Sequence, residues 1–376
     1  MIITQHNLNE RGGAERVLLK IAQRYKATIY TLGYNPSATF SEFKDLDVRV
    51  FGRMGKLGGL LPKRVANAVH YGYNFYNMKI GEDYDVINPH MSPSEWIRNR
   101  NPRCLWYCHT PPREIYDKSV RGLRKRGIGE RALYKGLSNV YARIERSILD
   151  RMEAIATNSD NTRERIRSAL NRDAEVINPG IEYKNFSSNG DGRYFIYPSR
   201  IAEQKRQEYA IEAFSRFMRL GNYGKYKLVL AGSMSERYPE FREYYKRLRS
   251  MRVRNVVFMP NPTDRQLIRL YSRATAVLFT AINEDYGIVP LEGMASGKPV
   301  ISVNEGGPRE TIVDGKTGFL VGSPMEMAER MQYIAERPKI AAKMGKEGRC
   351  RVEARYSWDE FFSKFDRLAR RVSKER

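Results

Sequence analysis

Residues 281 to 300 read Ala-Ile-Asn-Glu-Asp-Tyr-Gly-Ile-Val-Pro-Leu-Glu-Gly-Met-Ala-Ser-Gly-Lys-Pro-Val. Two carboxylates, Glu284 and Glu292, flank a Tyr286-Gly287 turn at the spacing Glu-x7-Glu. The apolar run Ala274–Phe279 before them predicts a buried parallel strand. Val289-Pro290 predicts a helix start, because the missing N–H of proline has no intrahelical partner at a first position. Glu284 then lies at the carboxyl end of a strand and Glu292 in the first turn of a helix, the crevice where open α/β sheets bind ligands. Carboxylates there accept from hydroxyls, and the N–H groups of Gly287, Ile288 and Val289 serve anionic or hydroxylated groups. A plain capped helix with one dipole-favoured acid and one exposed acid fits the same residues.

Other strand ends carry further candidates. Ser199-Arg200-Ile201-Ala202-Glu203-Gln204-Lys205 follows the predicted strand Tyr194–Tyr197. Arg200 offers a planar fork and Lys205 a compact cation, a pairing suited to a diphosphate and to the charge that develops when it leaves. In a chain with 66 Lys and Arg, such a pair also arises by chance. His109 follows the predicted strand Arg103–Tyr107 within Tyr-Cys-His-Thr-Pro-Pro-Arg; it is a site residue by position, or a structural histidine. Gly12-Gly13, between the strand Met1–Gln5 and the helix Ala14–Tyr25, lets the backbone approach a ligand or is simply a loop. Cys104, Cys108 and His109 fall short of a metal set. Asp45-Leu46-Asp47 and Asp83-Tyr84-Asp85 each lead into a strand and read as turn acids. No metal and no cofactor is expected.

The elements that must position these residues alternate strand and helix along the chain. The reading is α/β, with two Rossmann-like lobes facing a central cleft. Ser187 to Gly192, reading SSNGDG, is the best linker. The expected organisation is an N-terminal lobe over residues 1–186, a second lobe over 187–356 and a C-terminal helix over 357–376. That helix carries Trp358, Phe361, Phe362, Phe365 and Leu368 on one stripe. The spacing also predicts helices over Asn161–Leu170, with Asp160 as N-cap, and over Gln204–Arg219.

With 376 residues, the chain is long enough for two domains, and a hydrophobic content of 41% excludes general disorder. Three cysteines make no disulfide framework, so a reducing compartment is expected. The reading finds no signal peptide and no membrane span. The formal net charge of +23 calls for a partner. From Val48 to Gly81 there are six bases and no acid, interleaved with aromatic and apolar residues. That composition suits an interfacial helix on anionic lipid, single-stranded nucleic acid, or an ordinary helix with its bases in water. A second basic stretch runs from Lys118 to Arg146.

The pattern from Glu284 to Val300 resembles the donor-site signature of family 4 glycosyltransferases, retaining enzymes of the GT-B fold. The resemblance extends to Gly12-Gly13, to Arg200 and Lys205, and to Asp314-Gly315-Lys316-Thr317-Gly318. Tyr-Cys-His-Thr-Pro-Pro-Arg resembles a mannosyltransferase-like subset. The resemblance implies that Glu292 holds the donor ribose and that Glu284, with Gly287 to Val289, holds sugar hydroxyls. Arg200 and Lys205 would grip the diphosphate, and His109 and Gly12-Gly13 would complete the site. It implies hexosyl transfer without a metal, GDP-mannose being favoured as donor and UDP-glucose or another UDP-sugar the alternative. It also implies that the C-terminal helix crosses back to the first lobe. Tyr286 stands where Phe is commoner and Gly293 where Ala is; the latter is expected to loosen the Glu292 turn. The acceptor is expected to be lipid-linked, with the protein cytoplasmic and peripheral on an anionic membrane face. A nucleic-acid-binding protein, disfavoured because no nucleic-acid motif appears, and a non-catalytic sugar-binding relative are the readings of other classes.

Overall fold

The computed structural model describes residues 1–52, 63–116, 128–233 and 239–374. The chain divides into two units, Met1–Asn178 with Phe362–Arg376, and Pro179–Phe361. The expected boundary after residue 186 falls instead at Asn178–Pro179, because Ile181 and Phe186 are buried in the core of the second unit. The SSNGDG stretch is part of that unit too. Asn189 and Gly192 donate from their backbone to Ser272 and Arg273, and Lys298 Nζ donates to the Gly190 carbonyl.

The first unit is built on parallel strands β1 (Ile2–Gln5), β2 (Thr28–Thr31), β3 (Val48–Val50), β4 (Ile87–Pro89), β5 (Leu105–Cys108), β6 (Ala154–Thr157) and β7 (Glu175–Val176). They pair in the orders β3-β2-β1-β4 and β5-β6-β7. Ile87 bridges to Cys104 and donates to the Arg103 carbonyl, which joins the two sets. β1, β4, β5 and β6 are buried at every residue, the signature of a sheet covered on both faces. Helix α1 (Gly13–Tyr25) buries Val17, Leu18, Ile21 and Ala22, which recur at helical spacing. Helices α2 (Lys63–Asn77), α3 (Arg113–Tyr116), α4 (Ile128–Leu149) and α5 (Asp160–Leu170) follow. The cap of α5 is Ser159 rather than Asp160, since Ser159 Oγ accepts from the Thr162 N–H. Much of both basic stretches, residues 53–62 and 117–127, lies outside the described residues.

The second unit holds one six-stranded parallel sheet of β8 (Tyr194–Pro198), β9 (Lys227–Gly232), β10 (Val256–Pro260), β11 (Ala276–Phe279), β12 (Val300–Val303) and β13 (Gly318–Val321). Its order is β10-β9-β8-β11-β12-β13. The chain builds outward in one direction from β8 and in the other from β11, so the order reverses between them; such a switch point opens a crevice at the strand carboxyl ends. Alternate strand residues fill two cores: Phe195, Tyr197 and Leu278 on one face, Ile196, Val229 and Val277 on the other. The helix expected over Gln204–Arg219 is in fact a 3₁₀ turn, Glu203–Lys205, then Arg206 at φ 50°, then α6 (Gln207–Phe217). Helices α7 (Pro239–Ser250), α8 (Asp264–Arg273), α9 (Ile288–Ala295), α10 (Pro308–Thr311), α11 (Pro324–Glu336) and α12 (Pro338–Arg355) complete this unit.

The last helix, α13 (Trp358–Lys374), buries Phe365, Leu368 and Val372. Its residues from Phe362 onward group with the first unit. There the Phe365 ring lies between those of Tyr25 and Tyr107, and Asp366 accepts from Tyr25 Oη and Arg24 Nη2.

Candidate active site

In the second unit, the crevice between β8 and β11 is crossed by an ion pair. Lys205, seven residues beyond the end of β8, donates through Nζ to Glu284 Oε2 at 2.6 Å, five residues beyond the end of β11. The ammonium also stands 5.9 Å from the centre of the Phe279 ring. Both side chains are largely shielded, at 17% and 26% exposure, so water weakens their attraction less than it would on an open surface. Arg206, unremarked in the sequence reading, explains the broken helix. Its Nε donates to the Thr280 carbonyl at 2.7 Å and its Nη2 to Glu305 Oε1 at 2.9 Å. Glu305 Oε2 in turn accepts from the Asn283 N–H, and the Ile282 N–H donates to the Gln204 carbonyl. The 3₁₀ turn and the Glu284 loop are thus stitched together on both sides of the pair. Arg200 is exposed, with its guanidinium 5.9 Å from the centre of the Phe241 ring.

Gly306 and Gly307 press on the Glu284 loop from the end of β12. A Cβ at Gly306, where φ is +61°, would stand 2.4 Å from the Glu284 carbonyl oxygen, and the Gly307 N–H donates to that oxygen at 2.8 Å. Only glycine tolerates both the conformation and the approach. Helix α9 starts at Ile288 behind Gly287 at φ +84°, so Pro290 is the third helical residue and not the first. The left-handed Gly287 closes the turn early, and proline is still accepted because first-turn N–H groups have no intrahelical partner. Glu292 is 8% exposed and accepts from the buried Tyr271 Oη at 2.7 Å. Gly293 does not loosen this turn: a Cβ there would lie 2.8 Å from Val277 Cγ2, so its absence lets α9 seat against β11. Tyr286 is buried, and its hydroxyl donates to the Pro179 carbonyl at 2.6 Å, a bond that phenylalanine cannot make.

In the first unit, β1 and β4 form the corresponding reversal point. Gly12 caps α1, and around Gly13 nothing stands within 4 Å of where a Cβ would be. Gln5 ties the surrounding loops, its amide accepting from the Met91 N–H and donating to Glu15 Oε1. His109 leaves the end of β5, and its Nε2 lies 2.9 Å from His90 Nδ1. His90 Nε2 lies 3.0 Å from Asn88 Oδ1. Burial lowers the His109 imidazole to about 3 and that of His90 well below its ordinary value. A cavity of about 1070 Å³ lies nearby, lined mainly by apolar and aromatic side chains, among them Tyr73 of α2, Tyr141 and Ile144 of α4, and Trp96 of the 3₁₀ turn Ser94–Asn99. Its polar lining includes His6, Thr110 and Arg113.

The family described as Glycosyltransferase Family 4 matches residues 11–184, and that described as Glycosyl transferases group 1 matches residues 181–351. The chain is 30% identical to the alpha-1,3/1,6-mannosyltransferase ALG2 of Mus musculus, over 93% of this chain and 91% of that one. The chain is a family 4 glycosyltransferase. The ALG2 proteins of Homo sapiens and Dictyostelium discoideum are 29% and 27% identical to it, over 93% and 96% of the chain. The glycosyltransferase has the GT-B fold. The solved structure of Anabaena HepE in complex with UDP matches it with a TM-score of 0.74 at 18% identity, covering 97% of this chain and 98% of that one. Sucrose-phosphate synthase from Thermosynechococcus elongatus matches at 0.73 and 19% identity, covering 99% and 98%.

Two further features of this glycosyltransferase escaped the sequence reading. Arg206 was hidden because its partners lie 74 and 99 positions away. Glu95 and Glu145 are both fully buried beside Tyr116, whose hydroxyl is bonded to Glu145. Burial pushes Glu145 up to about 7, and burial together with Glu145 pushes Glu95 well above the carboxylate range. Nothing local in the sequence marks either acid as buried. Among the described residues, no three His, Cys, Asp or Glu side chains converge as a metal site would require, and no helix is long and apolar enough to cross a membrane.

Proposed function

We propose that this glycosyltransferase transfers a mannosyl residue from GDP-mannose to a hydroxyl of a lipid-linked glycan, with retention at the anomeric carbon. The observation that carries the reading is similarity along nearly the full chain to alpha-1,3/1,6-mannosyltransferases. The crevice of the second unit supplies chemistry that suits such a donor. One ammonium proton of Lys205 goes to Glu284, which leaves two for diphosphate oxygens. With Arg200, it would stabilise the electron pair that moves onto the diphosphate oxygen as the anomeric C–O bond breaks. The acceptor oxygen bonds to the anomeric carbon, and its proton passes to the departing phosphate. Glu292, held by Tyr271, would accept from the ribose hydroxyls, and Glu284 and the N-terminal N–H groups of α9 would bind the sugar. In the first unit, His109 and the Gly12-Gly13 loop would contact sugar hydroxyls, and no metal is required.

The apolar cavity of the first unit favours a lipid-linked acceptor, and the excess of basic residues favours an anionic membrane face on the cytoplasmic side. A UDP-sugar donor is the second reading, favoured by the fold shared with a structure that holds UDP. The test is thermal melting with GDP, UDP, GDP-mannose and UDP-glucose, followed by transfer to a lipid-linked oligosaccharide. GDP and GDP-mannose should raise the melting temperature most, since a ligand of the native state stabilises it. Stabilisation by UDP alone would replace the donor. Flotation should show preference for vesicles with anionic lipid; equal binding to neutral vesicles would remove the membrane reading.

A further inference from the structure

We infer that Asn88 and His90 are positioning residues that fix the proton of His109 on Nε2, so that His109 presents a bare Nδ1 as a hydrogen-bond acceptor to a sugar hydroxyl. The sugar part rests on the reading that His109 lines the sugar site; the proton assignment does not. Asn88 is fully buried on β4. Its Nδ2 donates to the Leu105 carbonyl at 2.6 Å. Turning the amide over would set two acceptor oxygens against each other, so Oδ1 must face His90. Oδ1 can only accept. His90 Nε2, 3.0 Å away, must therefore carry a proton. A neutral imidazole has one N–H, so His90 Nδ1 is bare and accepts. His109 Nε2, 2.9 Å from it, must then be the donor. Its remaining nitrogen, Nδ1, is left with a lone pair.

The rest of the geometry holds the relay rigid. The His90 N–H donates to the Thr4 carbonyl at 3.0 Å, and Trp106 Nε1 donates to the His90 carbonyl at 2.8 Å. Asn158 Nδ2 donates to the His109 carbonyl at 2.9 Å. The Tyr107 ring packs against both imidazoles, with centroids 5.8 Å and 5.0 Å away. Burial lowers both histidines far enough that neither is charged near neutral pH. Among the described residues, no group donates to His109 Nδ1, and that atom is not one of the buried unpartnered atoms. An acceptor in this position selects for a ligand that donates. A sugar hydroxyl satisfies it, whereas a carboxylate, an ether oxygen or a deoxy position leaves it unpaired, and unpaired polar groups discriminate strongly.

The full chain labelled with ¹⁵N in its histidine rings provides the test, eased by the presence of only four histidines. At neutral pH, His109 should be uncharged with its proton on Nε2, and a scalar coupling should connect that nitrogen to His90 Nδ1 across the hydrogen bond. A proton on Nδ1, a charged ring or no coupling overturns the assignment. His90→Phe should abolish the coupling and lower kcat/KM roughly tenfold, the worth of one hydrogen bond. His90→Gln, which keeps an acceptor and a donor on one side chain, should restore most of it. Equal loss in both variants at unchanged melting temperature overturns the positioning role. If His90→Phe does not fold, the coupling in the unaltered protein still decides the proton assignment. Against a set of monodeoxy GDP-mannose donors, His109→Ala should leave the rate unchanged for one of them. If it slows every donor equally while the unaltered protein shows the coupling, the sugar contact fails and the relay stands.

Discussion

The two units use one plan with opposite chemistry. Each is a parallel sheet whose strand order reverses beside its first strand, and each gathers loops at that point. In the second unit those loops carry full charges: Lys205 on Glu284, and Arg206 on Glu305. In the first they carry neutral imidazoles, an amide and two glycines, beside an apolar cavity. Charge suits a diphosphate whose negative charge grows as it leaves, because fixed cations are worth most where charge develops. Neutral acceptors suit the hydroxyls of a sugar, and apolar walls suit a glycan carried on a lipid. The lesson is that similar topology sets where a ligand sits, and side chains at the strand ends set what the ligand is.

The largest effect should come from breaking the charged side. Lys205→Ala or Glu284→Ala is expected to lower kcat/KM by about 10² to 10³-fold, the range for losing one preorganised electrostatic contact. Initial rates of mannosyl transfer measure it. A loss below about tenfold would remove the pair from the chemistry. Glu292→Ala should act mainly on binding, weakening GDP by roughly 10 to 100-fold as hydrogen bonds to a charged group are lost. Tyr271→Phe should show a smaller change of the same kind, because Tyr271 acts through Glu292, to which its hydroxyl donates. Calorimetric titration with GDP separates these from the rate effect.

Gly293→Ala should destabilise the second unit by about 1–3 kcal/mol, the usual cost of overpacking, since the new methyl meets Val277. Denaturant melts would show this, and an unchanged or raised stability would mean that the helix and β11 move apart freely. The smallest effect concerns the first unit's buried acids. Glu95 and Glu145 are raised when folded, so the folded state binds their protons more tightly than the unfolded chain does. Their contribution is fully present below the ordinary carboxylate range and is lost as pH rises through about 7, where Glu145 titrates. Glu95→Gln should flatten that decline in melts between pH 5 and 8 on the order of the carboxylate and histidine ranges. An equally steep decline in the variant would show that Glu95 ionises in the folded state as readily as in the unfolded chain.

Periodicity and strand-end position were enough to place Glu284 and His109 beyond the right strands and Glu292 on the right helix, whereas Lys205, expected inside a helix over Gln204–Arg219, lies in a 3₁₀ turn. Buried parallel strands are continuous apolar runs, and the turns after them are short and polar. The same logic failed at Arg206. Helical propensity runs through Gln204–Arg219, but the Arg206 side chain finds Thr280 and Glu305 only once β8 and β11 are paired. It failed again at Ser187–Gly192, whose linker composition says nothing of the backbone partners Ser272 and Arg273. Gly293 looked like a weak point by propensity and is a contact by packing.

By itself, then, the amino-acid order determined the alternation of strand and helix, the two-unit plan and the residue types at the strand ends, because these follow from local sterics and from burial of short apolar runs. The tertiary structure alone decided which of those residues meet. Lys205 and Glu284 are 79 positions apart, and Asn88 and His109 are joined only through His90, so each contact exists only when separate strands lie side by side. Hydrogen bonds reach about 3 Å, and no rule of sequence spacing extends so short a force over so long a chain.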